Sequence, residues 1–176
     1  GFSTPSNAQA ITATVITPGI SNQNLTIGRN LQVQQSLSLQ GSAPTALSIT
    51  VTSADPARVV LSTSATALGT GQVSIPINAG QFSSSTPLFI QALSDTGTVQ
   101  VTASAPGFTS QAATITLGPS GFVINPFQIN NFTTTTFSGP TVIQVTPALL
   151  NSALNFQQAQ PIRGGLTGIS VPLTAT

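Results

Sequence analysis

Residues 95–117, DTGTVQVTASAPGFTSQAATITL, constrain the fold more than any other stretch of the chain. Val99, Val101, Ala103 and Ala105 alternate with polar residues, Pro106-Gly107 turns the chain, and Ala113, Ile115 and Leu117 alternate again. Period-two alternation places one set of side chains on one face, the pattern of a half-buried strand. Two such runs about a Pro-Gly turn predict an antiparallel pair that closes a β-domain. The second half of the stretch has a copy at the start of the sequence. Gly1-Phe2-Ser3-Thr4 matches Gly107-Phe108-Thr109-Ser110, and Gln9-Ala10-Ile11-Thr12-Ala13-Thr14-Val15 matches Gln111-Ala112-Ala113-Thr114-Ile115-Thr116-Leu117. The chain therefore reads as starting where a domain finishes, which points to a structural role rather than a chemical one.

Between these copies the chain is a succession of short strands and turns. Residues 8–16 form the orphan strand and end at Thr17-Pro18-Gly19, a turn signal. A short strand over 24–27 precedes a run over 31–39 with Leu31, Val33, Leu37 and Leu39 on one parity. Leu47, Ile49 and Val51 alternate up to Ser53-Ala54-Asp55-Pro56, and Val59-Val60-Leu61 is a compact apolar run. Val73, Ile75 and Ile77 share a face opposite Pro76, which lacks a ladder donor and so marks an edge strand. Residues 87–93 then lead into the closing pair. One segment, 147–154 (PALLNSAL), has enough helix formers for a single helical turn. Strands at this spacing, punctuated by turns, predict an all-β sandwich.

After Gly118 the pattern restarts. Leu31-Gln32-Val33-Gln34-Gln35 recurs as Leu154-Asn155-Phe156-Gln157-Gln158, and Gly41 falls opposite Gly164. Residues 171–176 align either with 47–52 or, in a rival alignment, with 101–106, so that Thr176 of one copy would run into Gly1 of the next. The predicted organisation is an orphan terminal strand over 1–19, a complete sandwich over 20–118 and a partial domain over 119–176 that needs complementation.

Composition excludes most chemistry. The chain of 176 residues has three Arg, two Asp, and no Lys, Glu, His, Cys or Tyr. General acid–base catalysis and an activated serine both need groups that are missing. A net charge of +1 provides no basic patch for nucleic acid. Two separated Asp do not make a calcium site, each being placed for turn chemistry. No catalytic residue, cofactor or metal is expected. No apolar run approaches the roughly 18–20 residues of a membrane span. With 39% hydrophobic residues at regular intervals, however, the chain can bury a core.

The runs LSITVTSADPARVVLS and GTVQVTASAPGF, with a Gly-containing hairpin between them, resemble the tandem bacterial immunoglobulin-like repeats of secreted and cell-surface proteins. The resemblance covers residues 24–117 well and 119–176 in part. It implies an immunoglobulin-like β-sandwich, an extracellular or cell-surface location, and a spacer, adhesive or assembly role without catalytic residues.

Several residues stand out against that background. Phe82, Phe89 and Phe108 fit core positions, whereas Phe122, Phe127, Phe132 and Phe137 cluster between the domains as candidate inter-domain contacts. Arg163 joins them, because the adjacent Gly164-Gly165 lets a backbone approach closely. Asn24 and Asn131 head N-x-T sequons and are candidate glycosylation sites. An incomplete sandwich exposes unpaired backbone and an apolar groove. Ile11, Ala13 and Val15 are accordingly the candidate plugs of a donor strand that completes a neighbouring copy head to tail. The expected partners are copies of the chain itself, or flanking repeats of one longer polypeptide. An adhesin stalk and a carbohydrate- or protein-binding module are the alternatives.

Overall fold

The computed structural model describes residues 3, 12–124, 135–140 and 142–172. The described residues are all-β and contain no helix. Strands β1 (Ile20–Ser21), β2 (Leu25–Gly28), β3 (Gln32–Gln35) and β4 (Ser38–Leu39) open the main body. They are followed by β5 (Leu47–Ser53), β6 (Val59–Ser62), β7 (Gln72–Ile77), β8 (Leu88–Ala92), β9 (Thr98–Ser104) and β10 (Gln111–Gly118). Beyond them lie β11 (Ser120–Ile124), β12 (Val145–Leu150) and β13 (Phe156–Ala159).

The closing pair forms as its alternation requires: β9 and β10 are antiparallel, with Ile115 opposite Val99 and Ala113 opposite Val101. Gly107 supports the turn between them at φ 80°, a left-handed conformation that a Cβ disfavours. These strands lie inside a five-stranded sheet of order β2-β10-β9-β5-β7. Its β2–β10 pair is parallel, with Leu25 opposite Ile115 and Ile27 opposite Leu117. The edge opposite β2 belongs to β7, where Pro76 costs no ladder bond. A three-stranded sheet of order β3-β8-β6 faces it, and β1 pairs with β4.

Inward residues of both sheets pool into one core. Ile27, Ile49, Val51, Ile75, Val101 and Ile115 from the larger sheet meet Val59, Leu61, Leu88 and Ile90 from the smaller one. Each large aliphatic side chain taken out of water there contributes about 1.5–3 kcal/mol. This is a sandwich-like arrangement, and it accounts for residues 20–118.

The remaining strands form a separate sheet of order β11-β12-β13. Residues 147–154 are not helical. Val145–Leu150 is a strand, because Ala148 and Leu149 are buried between two pairing neighbours, and Asn151 closes the turn that follows. The Asn151 side chain accepts from the Ala153 and Asn155 N–H groups at 3.0 and 2.9 Å. The run over 31–39 is split into β3 and β4. Residues 171–172 carry no strand, and 173–176 lie outside the described residues. Phe82 is 56% exposed rather than core, since it sits in the loop before β8, whereas Phe108 packs against the core.

Candidate assembly interface

A β-strand has two edges. On β2 one edge is taken by β10, and the other is taken by a single side chain. The Gln160 carboxamide accepts from the Gly28 N–H at 3.0 Å and donates to the Thr26 carbonyl at 2.8 Å. It thereby stands in for one peptide unit of a neighbouring strand, and it is buried. The backbone after it continues the job: Gln32 N–H donates to the Pro161 carbonyl at 2.9 Å and Arg163 N–H to the Asn30 carbonyl at 3.0 Å. Leu31 and Ile162 form an antiparallel bridge between these bonds. Residues 160–163 thus run as a short extra strand along 30–32.

Three buried glutamines fasten this segment from within. Gln32 Oε1 accepts from the Gly164 N–H at 3.2 Å and from Gln91 Nε2 at 3.1 Å. Gln91 also holds the loop between β6 and β7, donating to the Ala67 carbonyl and accepting from the Gly69 N–H, both at 2.9 Å. Gln32 Nε2 donates to Ala65 at 2.9 Å. Neutral amides cost far less to bury than charges, provided each is paired, and these are paired. Sequence reasoning missed the glutamines. The signal was a lone polar residue, Gln91, inside the run Leu88-Phe89-Ile90-Gln91-Ala92.

Arg163 belongs to the same joint. Its Nε donates to Asn30 Oδ1 at 3.2 Å and its Nη1 to the Gly164 carbonyl at 3.1 Å. Burial lowers the guanidinium's pKa from its ordinary value. At Gly164 a Cβ would overlap the Ala67 backbone, so only glycine lets the two backbones meet there. Gly165 N–H donates to the Thr66 carbonyl at 3.0 Å.

Of the four candidate contact phenylalanines, Phe122 and Phe137 are described, and their surroundings differ. Phe122 borders a cavity of about 310 Å³ with Leu31, Pro147, Ile162 and Ile169, beside the joint. Phe137 sits at the tip of a turn tied by Thr135 and Ser138, and is 98% exposed. Phe127, Phe132 and Asn131 lie outside the described residues. Asn24 is exposed, and its Oδ1 accepts from the Thr114 N–H at 2.8 Å, which leaves its amide nitrogen on the surface.

Of the donor-strand residues, Ile11 lies outside the described residues, as do 8–10. Ala13 and Val15 belong to residues 12–18, which form no strand. The expected strand over 8–16 is corrected for 12–16: a strand forms only against a partner, and in this chain β10 already fills the closing slot. Val15 is 94% and Ile16 80% exposed. The base of this arm is fixed to the sandwich, since Thr109 N–H donates to the Pro18 carbonyl and Gln40 N–H to the Gly19 carbonyl, both at 2.9 Å.

Asp55 caps its own turn, accepting from the Ala57 N–H at 3.1 Å. Asp95 instead faces Arg29 at 3.6 Å, a surface pair. Among the described residues no three His, Cys, Asp or Glu side chains cluster. No helix there is long and apolar enough to cross a membrane. No protein-family model matches the chain, and no characterised protein matches it in sequence.

Proposed function

We propose that this chain is a non-enzymatic extracellular structural protein, a subunit or repeat of a fibre whose immunoglobulin-like sandwiches join head to tail by β-strand complementation. One observation carries the reading. Residues 12–15 belong to a segment that repeats the sequence of β10, yet they lie unpaired on the surface with Val15 almost wholly exposed. An apolar strand sequence left in water is costly, and adding it to a sheet of a neighbouring copy removes that cost. Donor and acceptor surfaces differ, so the contact is heterologous and propagates an open filament.

The immunoglobulin-like part of the reading is supported by the parallel β2–β10 pair that closes an otherwise antiparallel five-stranded sheet. An exposed extracellular role is supported by composition. The chain lacks Cys, Met, Trp, Tyr and His, the side chains most easily oxidised, and offers trypsin only three Arg. A second reading, stalk repeats within a longer polypeptide, is favoured by the glutamine joint, which fixes successive sheets of one chain to each other.

Deleting residues 1–16 tests the proposal. The 176-residue chain is expected to form elongated particles that denaturing gels resolve into single 17.7 kDa chains, and the truncated chain to remain monomeric in sedimentation. A truncated chain that assembles normally overturns strand complementation by this segment.

A further inference from the structure

Two internal repeats and one strand pairing fix where the exposed arm would dock. The repeat that relates Leu31 to Leu154 has an offset of 123 positions, and carrying that offset back extends the comparison to β2 and β12. It sets Asn24-Leu25-Thr26-Ile27-Gly28 against Pro147-Ala148-Leu149-Leu150-Asn151. In the structure β2 and β12 are both strands followed by a tight turn and a second strand. Each turn holds a non-glycine residue at positive φ, Asn30 and Leu154, both at 61°, with Leu154 one position beyond the repeat equivalent of Asn30.

The edges correspond as well. In β2, the Arg29 N–H points to β10, bonding Gly118 at 3.0 Å, while Gly28 points the other way to Gln160. In β12, Leu150 N–H donates to the Pro119 carbonyl on the β11 side at 2.9 Å, while the Pro147 carbonyl accepts from Gln160 on the β13 side at 3.2 Å. Backbone groups alternate along a strand. Ile27 therefore shares its edge with Arg29, and Leu150, its counterpart, faces β11. The slot that β10 fills beside β2 is the slot that β11 fills beside β12. It does so without burying a single residue of its own.

We infer that residues 13–16 of a second copy take this slot in parallel, displacing β11, with Ala13 beside Ala148 and Val15 beside Leu150. The register follows from Ile115 beside Leu25 and Leu117 beside Ile27, carried through the two repeats (115 to 13, 25 to 148). It rests on the strand-complementation reading and names the acceptor for it. An open groove of about 660 Å³, where Leu149, Leu150 and Leu154 meet Leu117, Gly118 and Thr96, lies at the end of this slot.

The absence of native cysteine makes the test direct. A chain carrying Val15→Cys and Leu150→Cys is oxidised mildly and run on a non-reducing gel, against a chain carrying Val15→Cys and Thr146→Cys. Paired strands hold their Cα atoms about 5 Å apart, within disulfide reach, whereas four residues out of register gives about 14 Å, so the first pair is expected to cross-link roughly tenfold more. A reducible ladder of dimers and higher species from the first pair, matched by Ala13→Cys with Ala148→Cys, supports the inference. Equal cross-linking of both pairs, or self-association in sedimentation without the 15–150 link, overturns the register and leaves complementation standing at another edge. A linked monomer overturns the second copy as occupant. A chain that neither cross-links nor associates overturns the inference and the reading beneath it together.

Discussion

Residues 20–118 and 119–172 are built from the same kind of strand, and they end up differently. In the first region Ile49 and Val51 of β5 and the alternating apolar residues of β9 and β10 lie buried between two sheets. In the second, β13 is exposed along its whole length, and Ala148 and Leu149 are the described hydrophobic residues that become buried. The difference shows that alternation prepares a face without burying it. Burial needs a second layer, and in the second region the middle of β12 finds one, where Leu149 lies against Gly28 and Gly118 of the first. The order of the second region comes from its sheet hydrogen bonds, from that contact and from the glutamine joint to the first.

The widest gap between the two regions is expected in their response to lost side-chain volume. Ile115→Ala empties a site of zero exposure and should lower the unfolding free energy by about 2–5 kcal/mol. Ile124→Ala, on half-exposed β11, should change it by no more than about 0.5 kcal/mol. Urea unfolding of the two variants measures both. Equal losses would mean that β11 is covered by something other than what the described residues supply.

The same contrast explains how much could be read from sequence. Strands β5, β7, β9 and β10 were legible because each has one buried and one wet face, which writes period two into the residues. β6 was legible only as an apolar run, since all four of its residues are buried. β12 was misread as a helical turn because Ala148, Leu149 and Leu150 are consecutive and show no alternation. The joint was half legible. Arg163-Gly164-Gly165 announced a close backbone approach, but nothing in a glutamine's neighbours tells that its amide will replace a strand. Gln160 acts through residues about 130 positions away, Thr26 and Gly28, and such contacts leave no local pattern.

A smaller effect should come from cutting the joint. Gln160→Ala leaves the Gly28 N–H and Thr26 carbonyl without partners, at a cost of about 1–3 kcal/mol if water cannot reach them. Amide exchange at Gly28 should quicken while exchange at Ile115 stays slow. Gln160→Glu sharpens the point through pH. A neutral carboxyl can accept from Gly28 and donate to Thr26, whereas a carboxylate can only accept and faces a carbonyl. Burial raises such a carboxyl's folded pKa above its unfolded value of about 4.3. Its contribution is therefore full below the unfolded pKa and is lost as pH rises through the folded one. Rescue at low pH and none at neutral pH is the expected outcome, read by thermal melts. Equal stability of the Gln160→Ala and wild-type chains would show that the joint is not a source of order for the second region.

The smallest effect compares the two turns directly, and its sign is what matters. Asn30 and Leu154 share a φ of 61°. For a branched side chain without a local hydrogen bond, that conformation costs roughly 1–2 kcal/mol, and asparagine tolerates it better. Leu154→Gly relieves the strain but frees the unfolded chain, which takes back about 0.4–1 kcal/mol. Leu154 is also two-thirds exposed, so little packing is lost. The net expectation is a gain of up to about 1 kcal/mol. Asn30→Gly pays the same entropy, relieves little strain, and removes the oxygen that accepts from Arg163. It should therefore lose stability. Opposite signs in paired melts would show that the turn in the first region is tuned to its joint while the turn in the second is merely tolerated. Two gains would mean that the Asn30–Arg163 hydrogen bond contributes nothing, and the joint would then rest on its glutamines and the backbone bonds.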